Sequence, residues 1–188
     1  MKRQTIIIRF AVLGMAAATA MLLSGPAQAS VTTDQTHAIS GDENISGVVY
    51  GEAVLGNILT FPLSWRGLIS QSSEFTLPSG GSSSATLPSG LGGLEITLTS
   101  NFTFKILYMN SSTCYVVGQT SGTIAVDGAS STGAFKGASG SGSLAETLGA
   151  FRPENPDGSC DIFGNLTDSR GAFDVLTIKI TPLTIEAS

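Results

Sequence analysis

The stretch LEITLTSNFTFKILY, Leu94–Tyr108, decides how this 188-residue chain folds. Leu94, Ile96, Leu98, Phe102, Phe104, Ile106 and Tyr108 share one parity, while Glu95, Thr97, Thr99, Thr103 and Lys105 share the other. Alternation with a period of two marks a strand with one apolar face. A two-residue hairpin at Ser100-Asn101 would pair Thr99 with Phe102 and set the two apolar groups on opposite faces. The pattern therefore favours either one bent strand of about 15 residues, at roughly 3.3 Å per residue, or an odd-length loop that restores the face. A long curved strand suits a barrel or a strongly twisted sandwich.

The same period recurs on both sides of this stretch. Leu59, Phe61, Leu63, Trp65 and Ile69 fall on alternate positions, and Pro62 in the outward set places that strand at a sheet edge or a bulge. Val48, Tyr50 and Val54 form a similar set before it, and Ile124 with Val126 and Leu176, Ile178 and Ile180 form others after it. Between the strands lie the turn-rich segments Gly80–Ser84, Gly90–Gly93, Gly128–Gly142 and Asn155–Gly158. The pentapeptide TLPSG occurs at 76–80 and again at 86–90, which reads as the matching ends of a loop or of a short edge hairpin. Strands joined by Gly-rich connections, with almost no helical period, predict an all-β domain: an antiparallel β-barrel, with a β-sandwich as the alternative.

The N-terminus has a different character. Met1-Lys2-Arg3, Arg9, an apolar run from Phe10 to Leu23, a Ser24-Gly25-Pro26 break and Ala27-Gln28-Ala29 have the layout of a secretory signal peptide. Cleavage is expected between Ala29 and Ser30, followed by a flexible segment over 30–44 and one domain over 45–188. Removing residues 1–29 takes away Lys2, Arg3 and Arg9 and no acid, so the net charge moves from −5 to −8. That balance argues against a nucleic-acid partner, which needs clustered Lys and Arg. No further apolar run is long enough to predict a membrane span. The expected location is the periplasm, the medium or the cell surface. In such an oxidising compartment, Cys114 and Cys160, the chain's two cysteines, are most simply a disulfide.

Residues 121–144 carry a further signal. A short strand ends in Val126-Asp127-Gly128, a turn leads to Thr132-Gly133-Ala134-Phe135, and Gly137-Ala138-Ser139-Gly140 opens the next strand. This layout resembles the Gly-rich turn of the allene oxide cyclase and dirigent β-barrel group, although Ser130-Ser131 stands where a paired glycine is expected. Glycines there permit positive φ and close backbone approach, and Phe135 is placed to plug a barrel end. The resemblance implies an antiparallel barrel and a trimer, and it matches no catalytic residue of that group to this chain.

Candidate chemistry is sparse. His37, only eight residues into the mature chain and in a polar Thr-Asp-Gln-Thr context, reads as a solvated tail residue and not as the base of a Ser-His-Asp triad. Asp127, Glu146, Glu154, Asp157, Asp161, Asp168 and Asp174 could supply paired carboxylates of the glycosidase kind. Their Gly, Ser, Asn and Pro neighbours read mostly as turns. Asp157-Gly158-Ser159-Cys160-Asp161 lacks the spacing of a calcium loop, so neither metal nor cofactor is expected. Trp65, Tyr108 and Tyr115 are the aromatic residues proposed to line a pocket, with packing as their alternative use. The leading expectation is an exported barrel of binding or surface type, holding a small apolar molecule or a carbohydrate. The alternatives are a cyclase or isomerase acting in the barrel lumen, and an adhesin or matrix component. An inward-pointing Glu, Asp, Arg or Tyr in an open lumen would favour the enzyme, and a lumen packed solid would remove it.

Overall fold

The computed structural model describes residues 38–55, 59–76 and 83–186. The expected leader, its cleavage site, His37 and all but the first residue of the TLPSG copy at 76–80 lie outside the described residues. Nine strands account for most of the rest: β1 (Ala38–Tyr50), β2 (Thr60–Gly67), β3 (Gln71–Thr76), β4 (Ser84–Ser89), β5 (Gly92–Leu98), β6 (Thr103–Asn110), β7 (Tyr115–Val126), β8 (Ser139–Phe151) and β9 (Asp168–Glu186). A four-residue helix, α1 (Glu52–Leu55), follows β1, and a single 3₁₀ turn spans Gly133–Phe135.

The strands pair antiparallel in the order β3-β2-β1-β9-β8-β7-β5-β4, a nearly closed eight-stranded barrel. The seam between β3 and β4 is tied at one end, where Gly90 N donates to Gln71 Oε1 at 3.1 Å. β6 lies off this path and pairs only with β7. It continues β5 along the same partner: Leu98 stands opposite Ile124, Thr99 N donates to Thr123 O at 2.9 Å, and Thr103 stands opposite Ser121. The 94–108 stretch is thus one interrupted path along β7 and not a hairpin. Its first half is inside the barrel wall and its second half is a free edge.

Inward positions repeat the expected alternation over most strands. Phe61, Leu63 and Trp65 on β2, Leu94 and Ile96 on β5, Ile124 on β7 and Leu176, Ile178 and Ile180 on β9 are all buried. Burying a side chain of this size contributes about 1.5–3 kcal/mol, so these rows hold the barrel together. Three expectations change. On β1 the inward set is Glu43, Ile45, Gly47 and Val49, while Tyr50 is exposed and Val54 belongs to α1. A carboxylate and a glycine in the inward row hid it from an apolar count. On β6 a bulge between Ile106 and Tyr108 shifts the register, so Tyr108 pairs with Val117 and leaves the face of Phe104. β2 lies between β1 and β3, yet its ladder with β1 ends at Gly47–Leu63, so Pro62 has a strand partner on the β3 side alone. β1 also takes in residues 38–44 of the stretch expected to precede the domain.

The Gly-rich turn after β7 closes one end. Phe135 is fully buried and stacks on Trp65 with ring centroids 6.0 Å apart and planes at 22°. Gly133 holds φ at +62°, and a Cβ there would fall 2.2 Å from the Leu91 carbonyl, so only glycine lets the turn press onto the start of β5. Ser131 Oγ accepts from Glu95 N at 2.9 Å, and Thr132 Oγ1 accepts from Gly93 N at 2.9 Å, fastening the plug. Glu43 is buried at the same end. Its Oε2 accepts from Ile69 N at 2.8 Å, and burial pushes its carboxyl above the usual range.

Candidate functional site

Toward the other end the inward rows stop being uniformly apolar. β8 presents Leu144, Glu146 and Leu148, and β9 presents Asp174 next to Leu176. The register places Glu146 opposite Leu176 and Leu148 opposite Asp174, so the two carboxyls lie on adjacent strands one step apart on the diagonal. Asp174 is 2% exposed and its Oδ1 has no hydrogen-bond partner. Burial first, and then the charge of Glu146 and a carboxyl–carboxyl hydrogen bond with it, push the Asp174 carboxyl up to about 8. Such a pair holds a shared proton near neutral pH, because two like charges this close in an apolar setting do not both ionise.

Glu146 stands between two cavities. One, of about 170 Å³, has walls of Phe75, Leu87, Ile96, Leu98, Phe102, Ile124, Leu144, Leu176 and Ile178. The other, of about 410 Å³, is bounded by Phe104, Val116, Gly118, Thr120, Leu148, Arg152, Ile162 and Phe163. Each has one of two neighbouring rings in its wall, Phe102 in the first and Phe104 at the start of β6 in the second. Phe102 and Phe104 lie on the inward face yet remain 48% and 46% exposed. Gly118 makes this possible, since a Cβ there would fall 2.6 Å from the Phe104 ring. Phe104 in turn meets Phe163 with centroids 5.5 Å apart.

The floor of the larger cavity comes from the 152–167 loop, which the disulfide holds. Cys114 and Cys160 are bonded, with Cα atoms 5.3 Å apart and a sequence separation of 46. Arg152 N donates to the Cys114 carbonyl at 2.9 Å, and Arg152 Nη1 donates to the Gly164 carbonyl at 2.7 Å. Arg152 Nε is buried without a partner, and burial lowers its pKa against the opposing charge of Asp161.

The residues singled out from sequence are dispersed. Trp65 is in the packed end, where its Nε1 donates to Ser73 Oγ at 3.0 Å. Tyr108 is 54% exposed beyond the bulge. Tyr115 donates from its hydroxyl to the Gly171 carbonyl at 2.8 Å and meets Phe151 edge-on at 5.0 Å. None of the three lines either cavity. Of the seven acids, Asp127, Asp157, Asp161 and Asp168 each accept from the backbone N–H two residues on, as turn acids do. Glu146 and Asp174 are the two that meet inside the barrel. The signal that marks Asp174 is its place in the apolar alternation Ala172, Asp174, Leu176, Ile178, where a polar residue occupies an inward slot. Among the described residues no group of three or more His, Cys, Asp or Glu side chains could hold a metal ion. Comparisons with protein-family models, curated proteins and solved structures find no match to this chain.

Proposed function

We propose that the protein is an exported binding barrel that takes a small apolar molecule into its lumen. The observation that carries this reading is the 170 Å³ cavity beside half-exposed Phe102, whose walls are apolar apart from Ser83, Ser84 and Glu146. A dry apolar cavity of about 150 Å³ is large enough for benzene. The leader-like sequence and the disulfide support export, since such bonds persist in oxidising compartments. The test is titration of the isotopically labelled, disulfide-bonded protein with toluene, followed by NMR. Shifts should concentrate at Leu87, Ile96, Leu98 and Leu144, and Leu144→Trp should abolish them. A spectrum unchanged up to the solubility limit of toluene would overturn the reading.

A second reading keeps the lumen and adds acid–base chemistry, in line with the resemblance to allene oxide cyclases and dirigent proteins. Its support is the Glu146–Asp174 pair, one group able to donate a proton and the other to accept one. Turnover of a cyclisable apolar substrate that disappears in Asp174→Asn would favour it over binding alone.

A further inference from the structure

We infer that the lumen is built for an apolar molecule carrying a basic nitrogen, whose ammonium group takes the place of the proton shared by Glu146 and Asp174. The inference rests on the binding reading above and specifies the ligand class.

Two carboxyls face each other in the barrel interior, and among the described residues the chain's one ion pair is elsewhere, between Arg170 and Asp168. Asp174 Oδ1 is buried and unpartnered, which costs free energy unless a donor from outside satisfies it. Among the described residues no Lys, Arg or His forms an ion pair with either acid. From β8 the facing ionisable group is Glu146 itself. β1 offers Val49 opposite Asp174, and β7 offers Gly118 and Thr120 in the cavity wall. Glu52 of α1, the helix that packs on β9, is exposed. Arg152 borders the larger cavity with an unpartnered Nε, but it makes no ion pair with Glu146 or Asp174: its Nη1 is committed to Gly164 and the charge it answers to is Asp161. With one shared proton the pair carries a single negative charge, to which an anionic guest adds. An ammonium in the proton's place supplies donors in several directions and leaves that net charge unchanged, whereas a neutral guest has no charge to offset the second carboxylate. Two carboxylates without further oxygen ligands are a poor cage for calcium, which takes six to eight. The apolar part of the guest fits the 170 Å³ cavity next to Glu146.

The exchange balances simply: the bound ammonium keeps its protons, and the carboxyl proton passes to the buffer. Benzylammonium, benzyl alcohol and phenylacetate serve as probes of one shape and three charges, titrated calorimetrically into the disulfide-bonded protein at low salt. Benzylammonium should bind about tenfold or more tighter than benzyl alcohol, with phenylacetate weakest. Its binding should release close to one proton, read from titrations in two buffers of different ionisation heat. Its affinity should rise between pH 6 and 8 as the shared proton becomes easier to displace. In Asp174→Asn, and separately in Glu146→Gln, the ratio of ammonium to alcohol affinity should fall toward one and proton release should vanish. Equal affinities in the unaltered protein, or a ratio that survives in both variants, would overturn the inference while leaving apolar binding intact. Failure of the alcohol, the amine and toluene alike would overturn the binding reading as well.

Discussion

The two ends of the barrel are made from the same strands and differ in what their inward rows contain. At the closed end, Trp65 stacks on Phe135 among buried Leu94 and Leu183, a glycine-dependent turn is clipped to β5, and the one buried acid, Glu43, accepts a backbone hydrogen bond at Oε2 while its Oε1 has no partner. At the open end, β6 has a neighbour on one side, Phe102 and Phe104 are half in solvent, two cavities remain, and a buried acid has an unsatisfied oxygen. The first arrangement serves stability. The second leaves stability unclaimed: Glu43 lines neither cavity, whereas Asp174 is paired with Glu146, which lines both and so is within reach of a guest.

Truncating one Phe at each end is the most direct way to break this contrast. Phe135→Ala removes a fully buried ring and should cost about 3–5 kcal/mol in chemical denaturation. The disulfide comes next: replacing Cys114 and Cys160 together by Ser opens the loop between two positions 46 apart in sequence and should lower stability by about 2–4 kcal/mol. In the same variant the closed-end signals of Phe135 and Trp65 should stay native-like by NMR, while Ile162 and Phe163 lose theirs.

Titration sharpens the comparison further. Unfolded, Asp174 releases its proton near 3.8; folded, it keeps it up to about 8. Between these values the folded state binds more protons than the unfolded one, so stability should fall as pH rises, by at most ~1.4 kcal/mol per pH unit. Asp174→Asn should flatten that slope in denaturation curves taken from pH 5 to 8. Below about pH 4 the opposite trend should appear, because Asp127, Asp157 and Asp168 are held below their ordinary range by hydrogen bonds that protonation removes. The smallest effect is expected from Phe104→Ala, which deletes the same ring as Phe135→Ala but should cost under ~1 kcal/mol, since that ring is already half exposed.

Much of the closed end was legible in the sequence. The β2, β5 and β9 rows follow their apolar alternation, Phe135 plugs the Gly-rich turn, and the two cysteines pair. The open end was harder for a definite reason. Period-two reading assigns a face but says nothing about how many neighbours a strand has, so β6 looked as buried as β5. A one-residue bulge after Ile106 then reversed the face of Tyr108. The acids were misleading in another way. Asp174 stands between Ala172 and Leu176 in an apolar inward row, but Glu146 lies between Ala145 and Thr147, where nothing local separates it from a solvated strand acid. Only the β8–β9 register brings the two together.

The position of the disulfide has a consequence for where the protein can work. The bond fastens the β6–β7 turn to the loop that floors the larger cavity, and neither cysteine belongs to the core cluster around Trp65 and Phe135. Opening the bond would therefore free the cavity floor before it disturbed that core. Under the proposed reading the receptacle is complete only where the bond can form, which ties ligand capture to an oxidising compartment.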